Sequence, residues 1–95
     1  MVRTEKSGVI KKIKGLKAKA PSSLVLLKQL AMEKGELLAD WYELDAPYWD
    51  SENYQRMLKL IEIGVFINKE ISLFKFKNNL VKQVVMEYFD IPQKS

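Results

Sequence analysis

The ten residues 58–67, LKLIEIGVFI, decide how the chain is interpreted. A leucine-rich helical turn meets Gly64, and the β-branched and aromatic run of residues 65–67 follows at once. Glycine adopts left-handed backbone angles without steric cost, so it can swing a chain from a helix into a strand. The stretch therefore predicts the end of a helix, joined by a tight turn to the first strand of a hairpin.

Short elements with short links are predicted on both sides of this stretch. The predicted helices cover residues 24–34, 36–44, 52–63 and 80–89. The predicted strands are residues 65–67 and 71–76, on either side of Asn68-Lys69-Glu70. Ser22 or Ser23 is expected to cap the first helix and Asp50 or Ser51 the third. The expected fold is α+β and mostly helical, with a three-helix core, a two-stranded β-hairpin and a C-terminal helix.

This order of elements resembles the winged helix-turn-helix superfamily. Residues 58–67 resemble the place where the recognition helix of that superfamily runs into the first strand of the wing. The resemblance implies one winged-helix-like domain over residues 21–92, with the third helix in the DNA major groove and the hairpin near the DNA backbone. The short hairpin has no glycine, which departs from a wing that enters the minor groove.

Positive charge is concentrated at the amino end of the chain. Residues 1–20 hold seven basic side chains against Glu5 alone, whereas residues 21–95 hold nine basic and eleven acidic ones. We expect residues 1–20 to be a basic flexible arm. It is either a solvated tail or a segment that folds on an anionic surface and docks its apolar side on the domain.

Double-stranded DNA is the leading predicted partner, and the protein is expected to be a transcriptional or accessory regulator. On the third helix, Asn, Gln and Arg side chains can contact base edges, and lysines can neutralise phosphates. The candidate nucleic-acid-binding residues are Asn53, Gln55, Arg56, Lys59, Lys69, Lys75, Lys77, Lys11, Lys12 and Lys14. Asp50 and Glu52 stand at the amino end of that helix, where they either complement the helix dipole or repel phosphate.

The alternative function is a protein–protein interaction module that uses an acidic and aromatic surface around residues 41–54. Residues 33–52 hold seven acids and one base, Lys34, and five aromatic side chains fall within residues 41–54. Packing in the core is the more ordinary role for these aromatic side chains, but Tyr48 and Trp49 can remain on the surface, where aromatic side chains rimmed by carboxylates are typical of binding hot spots. The candidate residues are Trp41, Tyr48, Trp49 and Asp50.

Composition excludes several other classes of function. The chain has neither Cys nor His, which removes thiol chemistry, the commonest general base and the commonest transition-metal ligand. We therefore expect no enzyme, no cofactor and no metal site. The sequence shows no secretory signal and no stretch of about 20 apolar residues, so we expect a cytoplasmic protein without a membrane span. The wide apolar stripe of residues 80–89 predicts either packing within one chain or a homodimer through this helix.

Overall fold

Helices α1–α4 pack around a small antiparallel sheet in the computed structural model, which describes residues 2–44, 49–70 and 72–92, with side chains from Lys6 onward. The elements are α1 (Val2–Lys19), α2 (Pro21–Lys34), a 3-10 turn (Leu37–Ala39), β1 (Tyr42–Glu43), α3 (Ser51–Glu62), β2 (Phe66–Glu70), β3 (Leu73–Phe76) and α4 (Asn79–Tyr88). The fold is α+β and mostly helical, as the sequence predicts. None of the described helices is long and apolar enough to cross a membrane.

The sheet has three strands in the order β1-β3-β2, where two were predicted. Strands β2 and β3 form the predicted hairpin, with Phe66 opposite Phe76. Their aromatic side is buried, because Phe66, Phe74 and Phe76 are each at most 2% exposed. The expected turn at residues 68–70 is wrong, since these residues belong to β2 and the register shifts between Asn68 and Glu70.

The predicted helix over residues 36–44 is wrong. This segment forms the 3-10 turn and β1, and the backbone N–H of Leu44 donates to the carbonyl of Ser72 at 3.1 Å. A helix would place Leu37, Leu38, Trp41 and Leu44 on one side. The 3-10 turn and the strand instead bury Leu38 and Leu44 and leave Leu37 54% and Trp41 40% exposed. Pairing with the free edge of β3 gives the backbone of this segment hydrogen-bond partners. A short isolated helix would leave the backbone groups at both of its ends unpaired.

Residues 2–19 form helix α1, where the sequence predicted a flexible arm. Ile13 is 0% and Leu16 4% exposed, and Val9 and Ile10 pack against the same core. The apolar residues recur at intervals of three and four, so they form one stripe that docks on α2 and α4. Burial of this stripe, rather than the local helix propensity, is what holds the segment.

Helix α2 begins at Pro21 with Ala20 in the N-cap position, so the predicted caps Ser22 and Ser23 are wrong. Proline suits the first position of a helix because its missing N–H would have no acceptor there. Ser23 is buried instead, and its hydroxyl donates to the backbone carbonyl of Arg56 at 3.1 Å. This hydrogen bond ties α2 to the middle of α3.

The ends of α3 follow the prediction closely. The carboxylate of Asp50 accepts from the backbone N–H of Asn53 at 2.7 Å and caps the amino end. At the other end Gly64 has φ +83°, the left-handed conformation expected from the sequence. The backbone N–H groups of Gly64 and Val65 donate to the carbonyls of Ile61 and Leu60, both at 3.0 Å. The turn from α3 into β2 is therefore fixed by backbone hydrogen bonds and by a glycine.

Helix α4 is capped by Asn78, whose side-chain oxygen accepts from the backbone N–H of Val81 at 2.9 Å. Its buried residues are Val81, Val84, Val85 and Met86. They pack within this chain, mainly against α1 and β3. A homodimer through α4 stays a prediction, and none of the exposed large hydrophobic side chains of the described residues lies on α4.

Candidate nucleic-acid interface

Helix α3 turns Met57 and Leu60 into the core and leaves Gln55, Lys59 and Glu62 exposed. The apolar spacing of residues 52–63 predicts that Leu58 packs inside and that Leu60 flanks the buried side. The structure reverses the two, because Leu58 is 38% and Leu60 0% exposed. The exposed side of α3 is therefore polar with a single large apolar side chain, Leu58, among the described residues.

The charges on α3 are largely paired within the helix. Nη1 of Arg56 donates to Oδ1 of Asn53 at 2.8 Å, and Nη2 lies 3.4 Å from the carboxylate of Glu52. Nζ of Lys59 lies 3.5 Å from the carboxylate of Glu62. Asn53 and Arg56, predicted to reach bases, are half-buried and bonded to each other. Gln55 keeps an exposed side chain that can approach a base edge.

The three lysines of the hairpin region lie in different surroundings. Lys69 is exposed on β2 near the end of the hairpin. Lys75 is half-buried, with its Nζ 4.9 Å from the ring centroid of Trp41, a cation–π contact. Lys77 is exposed and extends towards Gly64, so its Nζ lies 3.9 Å from the position that a Cβ of residue 64 would take.

The three predicted lysines of α1 do not share one surface. Lys11, Lys12 and Lys14 are all exposed. A helix turns by roughly 100° per residue, so Lys12 and Lys14 point to nearly opposite sides of α1. Nζ of Lys12 lies 3.6 Å from the Cβ position of residue 64, close to Lys77. Lys12 therefore lies beside the carboxyl end of α3, on a different surface from Lys14.

A groove runs between α1 and the turn from α3 into β2, and we call it the basic groove. It consists of two cavities of about 290 and 330 Å³ that share Lys12 and Ile63 in their walls. Gly8 and Gly15 open the α1 side, because a Cβ at either position would have no atom within 4 Å. The charged residues that line the groove are Lys12, Lys19, Lys59, Lys77 and Glu62.

The sequence did not single out Lys19, but its spacing carried a usable signal. Gly8, Lys12, Gly15 and Lys19 recur at intervals of four, three and four, so they share one side of a helix. A side built from two lysines and two glycines differs from the apolar stripe and from the side of Lys14. That Lys59 and Lys77 complete the groove depends on how α1 packs, which no local pattern specifies.

The predicted acidic and aromatic surface does not form one patch among the described residues. Trp49 is half-buried, with its ring centroid 5.3 Å from that of Tyr54 and 6.0 Å from that of Phe74. Asp50 caps α3. Trp41 is exposed beside Lys75, while Tyr48 lies outside the described residues. Among the described members of this set, Trp41 is the one whose aromatic ring is exposed to a partner.

Comparison with protein-family models, with curated proteins and with solved structures finds no match to this chain. Within residues 2–44, 49–70 and 72–92, no three acidic side chains are grouped so that they could hold a metal ion.

Proposed function

We propose that this chain is a small DNA-binding protein of the winged-helix type, a transcriptional or accessory regulator that acts by binding and carries out no reaction of its own. The proposal includes the cytoplasmic location expected from the sequence. The observation that carries it is the basic groove, whose two adjoining cavities are lined by lysines from three separate parts of the chain and by one acid, Glu62. Lysines gathered in this way neutralise phosphates and release counterions, the main source of affinity for DNA.

The order of elements supports the winged-helix part of the proposal. An amphipathic helix, α3, leads through Gly64 into the β2–β3 hairpin, which is the order that the family resemblance implies. The helix is held against α2, partly by the hydrogen bond from Ser23 to Arg56. Gln55 and Lys59 lie on its exposed side and Lys69 near the end of the hairpin, positions from which they can contact bases and phosphates.

The distribution of charge along α3 indicates which of its ends approaches the DNA backbone. Asp50 and Glu52 occupy the amino end, where Asp50 is committed to capping the helix. The carboxyl end meets the basic groove, with Lys12 and Lys77 beside Gly64. Phosphates are attracted to the carboxyl end and repelled from the amino end, so we assign the backbone contacts to Lys12, Lys19, Lys59 and Lys77. Lys11 and Lys14 contribute long-range attraction from other sides of α1.

The test is fluorescence anisotropy of the full chain with a labelled 20-base-pair duplex of mixed sequence, at 50 and 200 mM salt. If the lysines of the groove neutralise about three to four phosphates, the logarithm of the affinity falls with the logarithm of salt with a slope of about −2.7 to −3.6. Absence of binding at 50 mM salt ends the proposal. Binding with a slope near zero also contradicts it, because the contacts would then not be ionic.

The exposed indole of Trp41 favours a second candidate function, a protein–protein interaction module. Trp41 is 40% and its neighbour Leu37 54% exposed, and the acids Glu36, Asp40 and Glu43 beside them are exposed as well. Exposed apolar side chains with acids around them suit a partner that carries basic and apolar residues. This surface comprises residues 36–43, and Trp49 contributes to the core instead.

Tryptophan emission distinguishes the two candidates. In a Trp49→Phe variant Trp41 is the sole indole of the chain, and its emission reports on residues 36–43. A shift to shorter wavelength with a lysine-rich peptide, and none with duplex DNA, favours the interaction module. A chain that binds duplex DNA while Trp41 stays unchanged with the peptide favours the DNA-binding protein.

A further inference from the structure

We propose that Lys12 and Lys77 together bind a single phosphate group, in the cavity between α1, Gly64 and the amino end of α4. This inference rests on the proposed function in so far as the phosphate belongs to the DNA backbone. The same chemistry would also accept the phosphate of a small molecule. The two sources are separated by the experiment below.

The geometry brings the two ammonium groups to one point. Their Nζ atoms lie 3.6 and 3.9 Å from the same position, that of a Cβ on residue 64. They are therefore closer to each other than the roughly 8 Å over which salt screens charges at physiological ionic strength. Two like charges at this separation repel, and an anion bound between them reverses that interaction.

The walls of the cavity supply no negative charge that would satisfy the two lysines. It holds about 290 Å³ and is lined, besides the lysines, by glycine, aliphatic residues and Asn78. The ion pairs of the described residues engage Lys6, Arg56 and Lys59. Neither Lys12 nor Lys77 has an acidic partner within 4 Å in that part of the chain. The pair is therefore available to an anion from outside.

Two features of the backbone make room for a phosphate and favour its charge. Gly64 has φ +83°, which side chains rarely tolerate, so this position of the cavity wall stays free of a side chain. Asn78, Leu80 and Val81 line the cavity from the first turn of α4. The amino end of a helix carries a partial positive charge, and among the first N–H groups of α4 that of Val81 already donates to Asn78. The carboxyl end of α3 at Gly64 carries the opposite partial charge, so the attraction comes mainly from the two lysines.

Binding of phosphate alone is tested by ¹⁵N NMR of the full chain, with inorganic phosphate titrated against chloride at constant ionic strength. We expect saturable shifts of the backbone amides of Gly64 and Leu80. The shifts should persist in Lys14→Gln, which removes the same charge from the opposite side of α1. They should be lost in Lys12→Gln and in Lys77→Gln, whose folding is checked by thermal melting because both side chains are exposed.

Binding to the DNA backbone is tested by a double-mutant cycle, in which affinity for the duplex of mixed sequence is measured at 50 mM salt. Side chains that share a phosphate do not act independently, whereas distant ones do. The loss of affinity in the Lys12→Gln/Lys77→Gln double variant should therefore differ from the product of the losses in the two single variants. Those of Lys14→Gln and Lys77→Gln should multiply, which makes this second pair the matched control.

The outcomes separate this inference from the proposed function. Phosphate shifts without DNA binding support the site, contradict the proposed function and identify a small phosphate-bearing ligand. DNA binding in which Lys12→Gln and Lys77→Gln behave like Lys14→Gln, with no phosphate shift, overturns the site and leaves the function standing. Coupling of Lys12 and Lys77 in the DNA cycle supports both, with the DNA backbone as the source of the phosphate.

Discussion

Helices α1 and α3 both expose basic side chains, but those of α3 form ion pairs and those of α1 largely do not. On α3, Arg56 lies 3.4 Å from Glu52 and Lys59 3.5 Å from Glu62. On α1, Lys12 and Lys14 have no such partner among the described residues. A cation beside an anion has much of its field cancelled nearby, whereas an unpaired one attracts counterions. The field of the cations on α3 is thus largely cancelled by neighbouring acids. In the proposed function, attraction of DNA therefore comes mainly from α1, the segment that the sequence predicts to be an arm.

The largest effect is expected where α1 is joined to the core. Ile13→Ala removes a side chain that is 0% exposed, so we expect a loss of about 2–4 kcal/mol in the free energy of unfolding. Lys14→Ala, on the exposed side of the same helix, should change it by less than about 0.5 kcal/mol. Urea unfolding followed by circular dichroism measures both. Equal stability of the two variants would mean that α1 does not pack on the domain.

The next largest effect is the difference in stability between two Gly→Ala variants, one at the end of α3 and one inside α1. Gly64→Ala forces an alanine to φ +83°, and we expect a destabilisation of about 1–2 kcal/mol. Gly15→Ala adds a methyl group to open space within a helix and should stabilise by about 0.5–1 kcal/mol. The midpoint temperatures of unfolding should therefore move in opposite directions. A shift of the same sign in both variants contradicts the roles assigned to these glycines.

The smallest effect is expected when the ion pair between Lys59 and Glu62 is removed. Glu62→Gln frees Lys59 and removes the acid that lines the basic groove, which makes the end of α3 resemble α1. We expect affinity for duplex DNA at low salt to rise by about 0.5–1 kcal/mol, roughly two- to fivefold, with little change in stability. Glu33→Gln removes an equal charge from an exposed position on α2 outside the groove. Anisotropy titrations that give both variants the same gain would contradict a local role for Glu62.

Local patterns were sufficient for much of the fold. Residues 24–34, 52–63 and 80–89 are predicted as helices because their apolar residues recur at helical spacing, and the structure confirms these helices although Val25, Met32 and Leu58 are exposed. The turn at Gly64 is predictable because a glycine separates a helical pattern from a strand pattern there. The segment 36–44 could not be predicted in this way. Its apolar spacing suits a helix, but its structure is set by pairing with β3, some thirty residues further along the chain.

The candidate site was predictable in its residue types and not in its assembly. The sequence identified Lys12, Lys59 and Lys77 as possible phosphate ligands. It could not show that α1 packs beside Gly64, because that contact joins residues more than fifty positions apart. It also treated Lys12 and Lys14 alike, although a helix turns them to opposite sides. Helical geometry would have separated these two lysines once the segment was accepted as a helix.

We propose that the position of the lysines, rather than the net charge of the chain, determines binding to DNA. It is tested most directly by two variants of equal formal charge in the same duplex titration. One changes the groove residues Lys12, Lys19, Lys59 and Lys77 to Gln. The other changes the exposed lysines Lys11, Lys14, Lys17 and Lys28, which line neither cavity of the groove.

With folding of both variants checked by circular dichroism, we expect the groove variant to lose most of the affinity and to flatten the salt dependence by a slope of about three to four. The second variant should keep most of the affinity and most of the salt dependence. Equal losses in the two variants would show that affinity follows the overall charge, and the basic groove would then have no special role.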